Sequence, residues 1–366
     1  MGITADFFLG VNSPEGFVTY GDTLVTPQEK RRIFLIKGGP GTGKSTLMRQ
    51  VAETLEDIEN EKGLTERIHC SSDPDSLDGV IFHHADAILL DATPPHAVEP
   101  YAPGAYESVV NLCDCWDEKI LQANRTPILA LNAQNKLCHS RCRNFLQAAN
   151  SLLSSNRLMA LDAADTDKIT RYAKRVALHE FAHKGAGKAI EHKRFLRAVT
   201  PKGMISLDST IPALCDRVYL LSDPYEASSS LLLSALRLLA LEYGHEIFTC
   251  YSPFNPKSQV EELFIPALRL GFCAGNNRTL LPFAPYRVVH ESRFIDMEQL
   301  KKHRQRLKFN QKAAGELINE AVLLMQVAKK LHDDLEKYYI RAVNFHQVNQ
   351  KKEKLLQELG QILCGR

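Results

Sequence analysis

Eight consecutive residues, Gly38-Gly39-Pro40-Gly41-Thr42-Gly43-Lys44-Ser45, satisfy the pattern G-x-x-x-x-G-K-[ST] in full. Each part has a physical reason. Glycines let the backbone turn tightly and bring its N–H groups against phosphate oxygens with no Cβ in the way. Lys44 would reach the β- and γ-phosphates, the Ser45 hydroxyl would ligate Mg²⁺, and Thr46 would touch the α-phosphate region. The chemistry expected is binding of ATP with Mg²⁺ and electrostatically catalysed phosphoryl transfer. An apolar strand, Ile33–Lys37, precedes the loop and an amphipathic helix follows it from Ser45, the context such a loop needs.

A second carboxylate is expected at the end of a neighbouring apolar strand. Asp91, closing Ile88-Leu89-Leu90-Asp91, fits as a Mg²⁺ ligand and catalytic residue; the bland alternative is that it caps the turn Ala92-Thr93-Pro94. Ala92 stands where many ATP-hydrolysing proteins carry a water-activating Glu, so a catalytic base, if there is one, lies elsewhere. The turn Cys70–Gly79 holds Asp73, Asp75 and Asp78 at the end of another strand, the side on which open α/β sheets bind ligands. Asp73 is the catalytic candidate there, and the alternative is an Asx turn followed by a helix N-cap. His69 and His96 lie close by and each alone reads as structural. His179-Glu180-Phe181-Ala182-His183 matches H-E-x-x-H, with His192 as a conceivable third ligand. It ends a helical segment beside a glycine-containing linker, lacks the G-x-x-H extension, and is discounted.

The elements that position these residues occur twice. Phe8-Leu9 … Ser13-Pro14-Glu15-Gly16 reads like Phe195-Leu196 … Thr200-Pro201-Lys202-Gly203, an offset of 195 − 8 = 187. Arg32-Ile-Phe-Leu-Ile36 matches Arg217-Val-Tyr-Leu-Leu221 at 217 − 32 = 185, and Asp73-Pro-Asp-Ser76 matches Asn255-Pro-Lys-Ser258 at 255 − 73 = 182. The boundary falls near the Gly185-Ala-Gly-Lys stretch, giving units 1–188 and 189–366. Each has a strand (33–37 or 218–222), a helix (44–58 or 229–243), a second strand (66–71 or 246–251), a polar turn and a third strand (87–90 or 270–273). Long helical stretches follow, about 105–184 and 296–363, the latter read as a helical hairpin. The fold class expected is α/β: two tandem parallel-sheet domains, each with a long helical insertion. The second copy has lost the chemistry, because Asp223-Pro-Tyr-Glu-Ala-Ser-Ser-Ser230 replaces the loop and Asp223 and Glu226 would repel phosphate.

Composition excludes several classes. With 366 residues, 44% hydrophobic and 24% charged, the chain suits two soluble domains, and a net charge of +2 provides no global field for nucleic acid or membrane. No signal peptide or membrane span is visible, and the nine cysteines show no C-x-x-C pair, which points to reduced thiols in the cytoplasm.

The runs Phe34–Met48, His69–Val80 and Asp91–His96 together resemble a little-characterised family of bacterial tandem P-loop ATPases, sometimes labelled nucleotide-kinase-like. Thr200-Pro-Lys-Gly203 resembles the start of that family's second half. The resemblance covers the whole chain and implies ATP binding through Gly38 to Thr46 and a duplicated architecture; this chain departs from it in lacking a second glycine-rich loop. The leading expectation is an ATPase whose turnover moves the helical segments, which leave room for a protein partner. A small-molecule or nucleotide kinase and a nucleotide-dependent binding module with negligible turnover are the alternatives, and no helicase motif supports a nucleic-acid partner.

Overall fold

The computed structural model describes residues 3–25, 31–60, 63–94, 98–181, 189–275 and 283–364. The first half runs β1 (Ile3–Phe8), β2 (Gly10–Ser13), β3 (Gly16–Thr19), α1 (Gly21–Leu24), β4 (Arg32–Lys37), α2 (Lys44–Asn60), β5 (Leu64–His69), β6 (Leu77–Phe82), β7 (Ala87–Asp91), β8 (Glu107–Asn111), α3 (Glu118–Ala123), α4 (Arg125–Leu161) and α5 (Thr166–Glu180). The second runs β9 (Ile190–Arg194), β10 (Arg197–Thr200), β11 (Gly203–Ser206), α6 (Thr210–Leu214), β12 (Arg217–Ser222), α7 (Ser228–Glu242), β13 (Glu246–Tyr251), β14 (Val260–Ile265), β15 (Leu270–Gly275), β16 (Arg287–His290), α8 (Met297–Lys301), α9 (Arg304–Ile340) and α10 (Phe345–Leu363).

Each half forms a six-stranded sheet, ordered β1-β5-β6-β7-β4-β8 and β9-β13-β14-β15-β12-β16, so the two orders coincide strand for strand. The chain is thus α/β, but the sheets are mixed where parallel ones were expected. β6 runs antiparallel to both β5 and β7, and β14 does the same between β13 and β15. The segment after the Asp73 turn is therefore a strand and not a capped helix. Gly79 permits it, since a Cβ there would lie 2.7 Å from Leu90 Cδ2 and 2.9 Å from the Leu89 carbonyl of β7.

Equivalent turns repeat in detail. Ser13 Oγ donates to the Gly16 carbonyl at 2.7 Å and Thr200 Oγ1 to that of Gly203 at 2.8 Å, with φ of +107° and +104° at the two glycines. Only Gly adopts such a φ without strain, which explains why it recurs in both segments. Phe8 and Phe195, the matched residues, exchange reciprocal N–H···O bonds of 2.9 Å. They mark the pseudo-twofold axis between the halves. Close by, Phe7 stacks on Phe248 at 5.4 Å. At the symmetry-related pair of positions, the buried Arg194 holds the buried Glu66 in two bonds of 2.6 and 2.8 Å.

The helices are exchanged. α4 and α9 each contain 37 residues and begin 304 − 125 = 179 residues apart. They pack antiparallel: Asn135 Nδ2 reaches the Ala328 carbonyl at 2.8 Å and, at the other end, Asn156 Nδ2 reaches that of Leu307 at 2.9 Å. α5 then covers α7 of the second half, while α10 covers α2 of the first, its Leu355, Leu359 and Leu363 closing the core around Phe34, Met48 and Val51. The expected hairpin of 296–363 with itself is replaced by this pairing across halves. Each apolar helix face finds its partner in the other half, so the segments 1–188 and 189–366 do not bury their cores separately. The boundary stretch itself, 182–188, lies outside the described residues.

Candidate active site

β4 delivers the chain to Gly38 and α2 starts at Lys44, so the Gly38–Ser45 loop lies between a strand end and a helix N-terminus. Gly41 and Gly43 take φ of +67° and +83°, left-handed values that side-chain-bearing residues rarely adopt. Lys44 Nζ folds back to the carbonyls of Gly38 (2.7 Å) and Gly39 (2.9 Å) and stands 3.7 Å from Asp91 Oδ2. β7 is hydrogen-bonded directly to β4, which sets Asp91 beside Ile36. Asp91 takes the turn-capping role, its Oδ1 accepting from Thr93 N at 2.8 Å, and Thr93 Oγ1 donates to the Gly38 carbonyl at 2.9 Å. Thr42 Oγ1 bonds the Gly39 carbonyl at 2.9 Å, bracing the loop from within. Pro40 is half-buried in the loop, and Thr46 is exposed on the first turn of α2.

Ser45 Oγ accepts from Leu77 N at 3.0 Å, which ties the start of β6, and with it the Asp73 turn, to the loop. Asp73 Oδ2 accepts from Ser76 Oγ at 2.9 Å and lies 3.4 Å from Lys329 of α9. His69 holds the turn from behind, with one ring nitrogen on the Pro74 carbonyl (3.0 Å) and the other on Asp6 (2.8 Å). His96 lies outside the described residues. So does His183; of the same motif, His179 is exposed and Glu180 is committed to Arg217 and Tyr219, each at 2.6 Å. Those bonds, though opposed by burial, hold Glu180 below the usual carboxylate range.

The structure adds a group that the sequence reading missed: the C-terminal end of α9 closes over the loop. Glu336 Oε1 accepts from Gly41 N at 3.2 Å. The hydrogen bond from His332, one turn earlier, holds the Glu336 carboxyl below its ordinary range against the effect of burial. Ile340 and Tyr339 complete the cover. A Cβ on Gly41 would lie 2.8 Å from Ile340 Cγ1, and one on Gly39 would lie 3.0 Å from Trp116 and 3.2 Å from Tyr339. Here the glycines serve close packing as well as loop geometry. Trp116 meets Tyr339 edge-on at 5.4 Å and lines a cavity of about 610 Å³ with Asp114, Asp117, Lys119 and Asn344.

The second half repeats this arrangement with the charges reversed. Glu226 keeps the left-handed φ of +55° at the position of Gly41. The buried Asp223 carboxylate turns into its own loop and accepts from Ser229 N and Ser228 Oγ, both at 2.9 Å. Over it lies Arg157 of α4, 3.0 Å from Ser230 Oγ and 2.9 Å from Gln259 Oε1. Arg157 and Glu336 are 179 residues apart (336 − 157), the spacing of the two long helices, so they are counterparts. Burial pushes Glu226 up to about 7. Burial and the neighbouring Asp223 push Glu291 up to about 8. Carrying the repeat alignment through the helices to this pair would have revealed both covers.

Comparison with known proteins yields no match to a family model, a curated protein or a solved structure.

Proposed function

We propose that the chain is a tandem P-loop NTPase with one working site, binding ATP and Mg²⁺ at Gly38–Thr46, which displaces the α9 cover, and hydrolysing the triphosphate. The observation that carries this reading is the Lys44–Asp91 contact of 3.7 Å inside a loop with left-handed glycines at 41 and 43. The donor set fits a triphosphate. Inward N–H groups and the α2 N-terminus favour anionic oxygens, and Lys44 can leave the loop carbonyls for phosphate. The Ser45 hydroxyl accepts one hydrogen bond and keeps a second lone pair for Mg²⁺, with Asp91 beside Lys44 as the partner carboxylate. The metal would neutralise charge developing on the transferred group. Lys44 and the loop N–H groups would do the same from the protein side, and the cavity beside Trp116 is of a size to take a nucleoside.

Glu336 is an anion already held by the loop, so triphosphate must displace it. That exchange supports a link between nucleotide and helix position. It equally favours the reading of a nucleotide-dependent binding module, in which α9 moves with little turnover. The kinase reading would use the Asp73–Asp78 turn to place an acceptor hydroxyl, and within that turn Asp73 is engaged by Ser76 and Lys329. Among the described residues no helix is long and apolar enough to cross a membrane. All nine cysteines are free, which fits a reducing cytoplasm.

The test is ATP binding and turnover by the wild type and by Lys44→Ala. Binding that depends on Lys44 supports the site, and binding that survives its loss refutes it. Turnover separates an ATPase from a binding module.

A further inference from the structure

A second cluster lies away from the loop, where the two halves meet. His83 follows directly after β6 of the first half. His192 sits in β9 and Glu246 opens β13, both in the second half. One ligand atom from each lies within 4.8 Å of the others, and among the described residues no other trio of His, Cys, Asp or Glu comes this close. The rings of His83 and His192 meet edge to face at 5.1 Å, and His192 stacks on Phe248 at 4.7 Å. His192 Nε2 already shares a proton with Glu246 Oε1 at 2.7 Å. Behind His83 stands Glu66, fully buried, 2.5 Å from its Nε2 and fixed in place by Arg194. A carboxylate so placed orients an imidazole whose other nitrogen binds a metal.

We propose that His83, His192 and Glu246 form a divalent transition-metal site of the Zn²⁺ class that staples the two halves together. Two imidazole nitrogens and one carboxylate oxygen are a ligand set that Zn²⁺ takes in sites with an open fourth position. The half-exposed Glu246 leaves that position to water. Ligand atoms around tetrahedral Zn²⁺ are about 3.3 Å apart, so the trio closes inward by rotation about side-chain bonds, and the metal replaces the proton between His192 and Glu246. The three ligands come from both halves, so binding the metal stabilises their docking directly. The proposal is independent of the nucleotide reading, because none of its residues belongs to the Gly38–Ser45 loop.

The experiment uses the full chain stripped with chelator and titrated with Co²⁺ alone, then Zn²⁺ alone. The expected result is one metal per chain, visible absorption of tetrahedral Co²⁺ that Zn²⁺ abolishes, and a higher melting temperature with Zn²⁺. His192→Gln retains a polar partner for Glu246 and should fold, yet lose affinity by more than about 100-fold and lose the thermal shift. His179→Ala should retain both. A wild type that binds no stoichiometric metal, or binding lost in His179→Ala but retained in His192→Gln, overturns the proposal.

Discussion

Replacing Glu336 should tighten ATP binding, although the residue belongs to the opposite half. Its carboxylate accepts the Gly41 N–H at 3.2 Å, and its side chain is 35% exposed. A hydrogen bond to a charged group contributes about 1.5–3 kcal/mol. Screening at this exposure and the long N···O distance reduce that to about 1 kcal/mol. A triphosphate must give this up before it meets the loop. Glu336→Ala removes the competitor, so ATP should bind about fivefold tighter, and Glu336→Gln, which keeps the shape without the charge, should fall between. Isothermal titration of Mg–ATP into the three proteins measures this, with Lys44→Ala as the non-binding reference. Affinity that is unchanged or weakened in Glu336→Ala would show that the carboxylate does not compete with phosphate and would refute the lid argument.

Two further outcomes test the frame around the site. Arg194→Ala leaves the Glu66 carboxylate buried without its guanidinium and should cost about 3–5 kcal/mol, read as a lower urea midpoint. Putting Phe at both 66 and 194 repeats the Phe7–Phe248 stack found at the related positions and should recover most of that loss. Stability should also fall as pH rises from about 4.5 to about 8. Glu226 (about 7) and Glu291 (about 8) hold protons in the folded state that the unfolded chain releases near pH 4.5. Carboxylates held low, such as Glu180 and Glu66, act in the opposite sense and only at more acid pH. Melting temperatures across pH 4.5–9 that rise steadily would contradict these assignments.

Local signals made half of the architecture readable. The strand before Gly38, the helix from Lys44, the Asp91 strand and their counterparts at 217–222, 228–242 and 270–275 stand where apolar runs and the glycine pattern put them. The strands that were missed had competing signals or none. Leu77–Phe82 carries Asp78-Gly79, a turn signature, yet Gly79 is there to let β6 approach β7 closely. Its antiparallel direction depends on pairing between distant strands, which periodicity does not encode. β8 is short and partly exposed. The helical exchange was hidden for another reason: an amphipathic face records that it is covered but not by what, so α10 read as a partner for α9 when it covers α2. Within the candidate site, the Gly38–Ser45 loop and Asp91 were legible from local sequence, while Glu336 and Tyr339 come from nearly 300 residues further along and carry no motif.

The two loops show why a lost site remains useful on the proposed reading. A loop whose N–H groups converge needs an anion, because buried donors left unpaired are costly. The second half supplies that anion from within: Asp223 fills the concavity and bonds Ser229 N, while Glu226 bears the left-handed strain that Gly41 avoids. Arg157 offsets the added acid from above, alongside Gln259 and Ser230. That loop carries its anion within its own chain segment, held by Ser228 and Ser229. The first half instead borrows Glu336 from α9, which on the proposed function a triphosphate would displace. α4 and α9 are bonded along their length, including the buried contacts of Asn156 with Leu307 and Asn310. Release of Glu336 would then free the end of α9 against α4, whose own end is held at the second loop through Arg157. On the proposed function, the second half would be the anchor against which the first half moves.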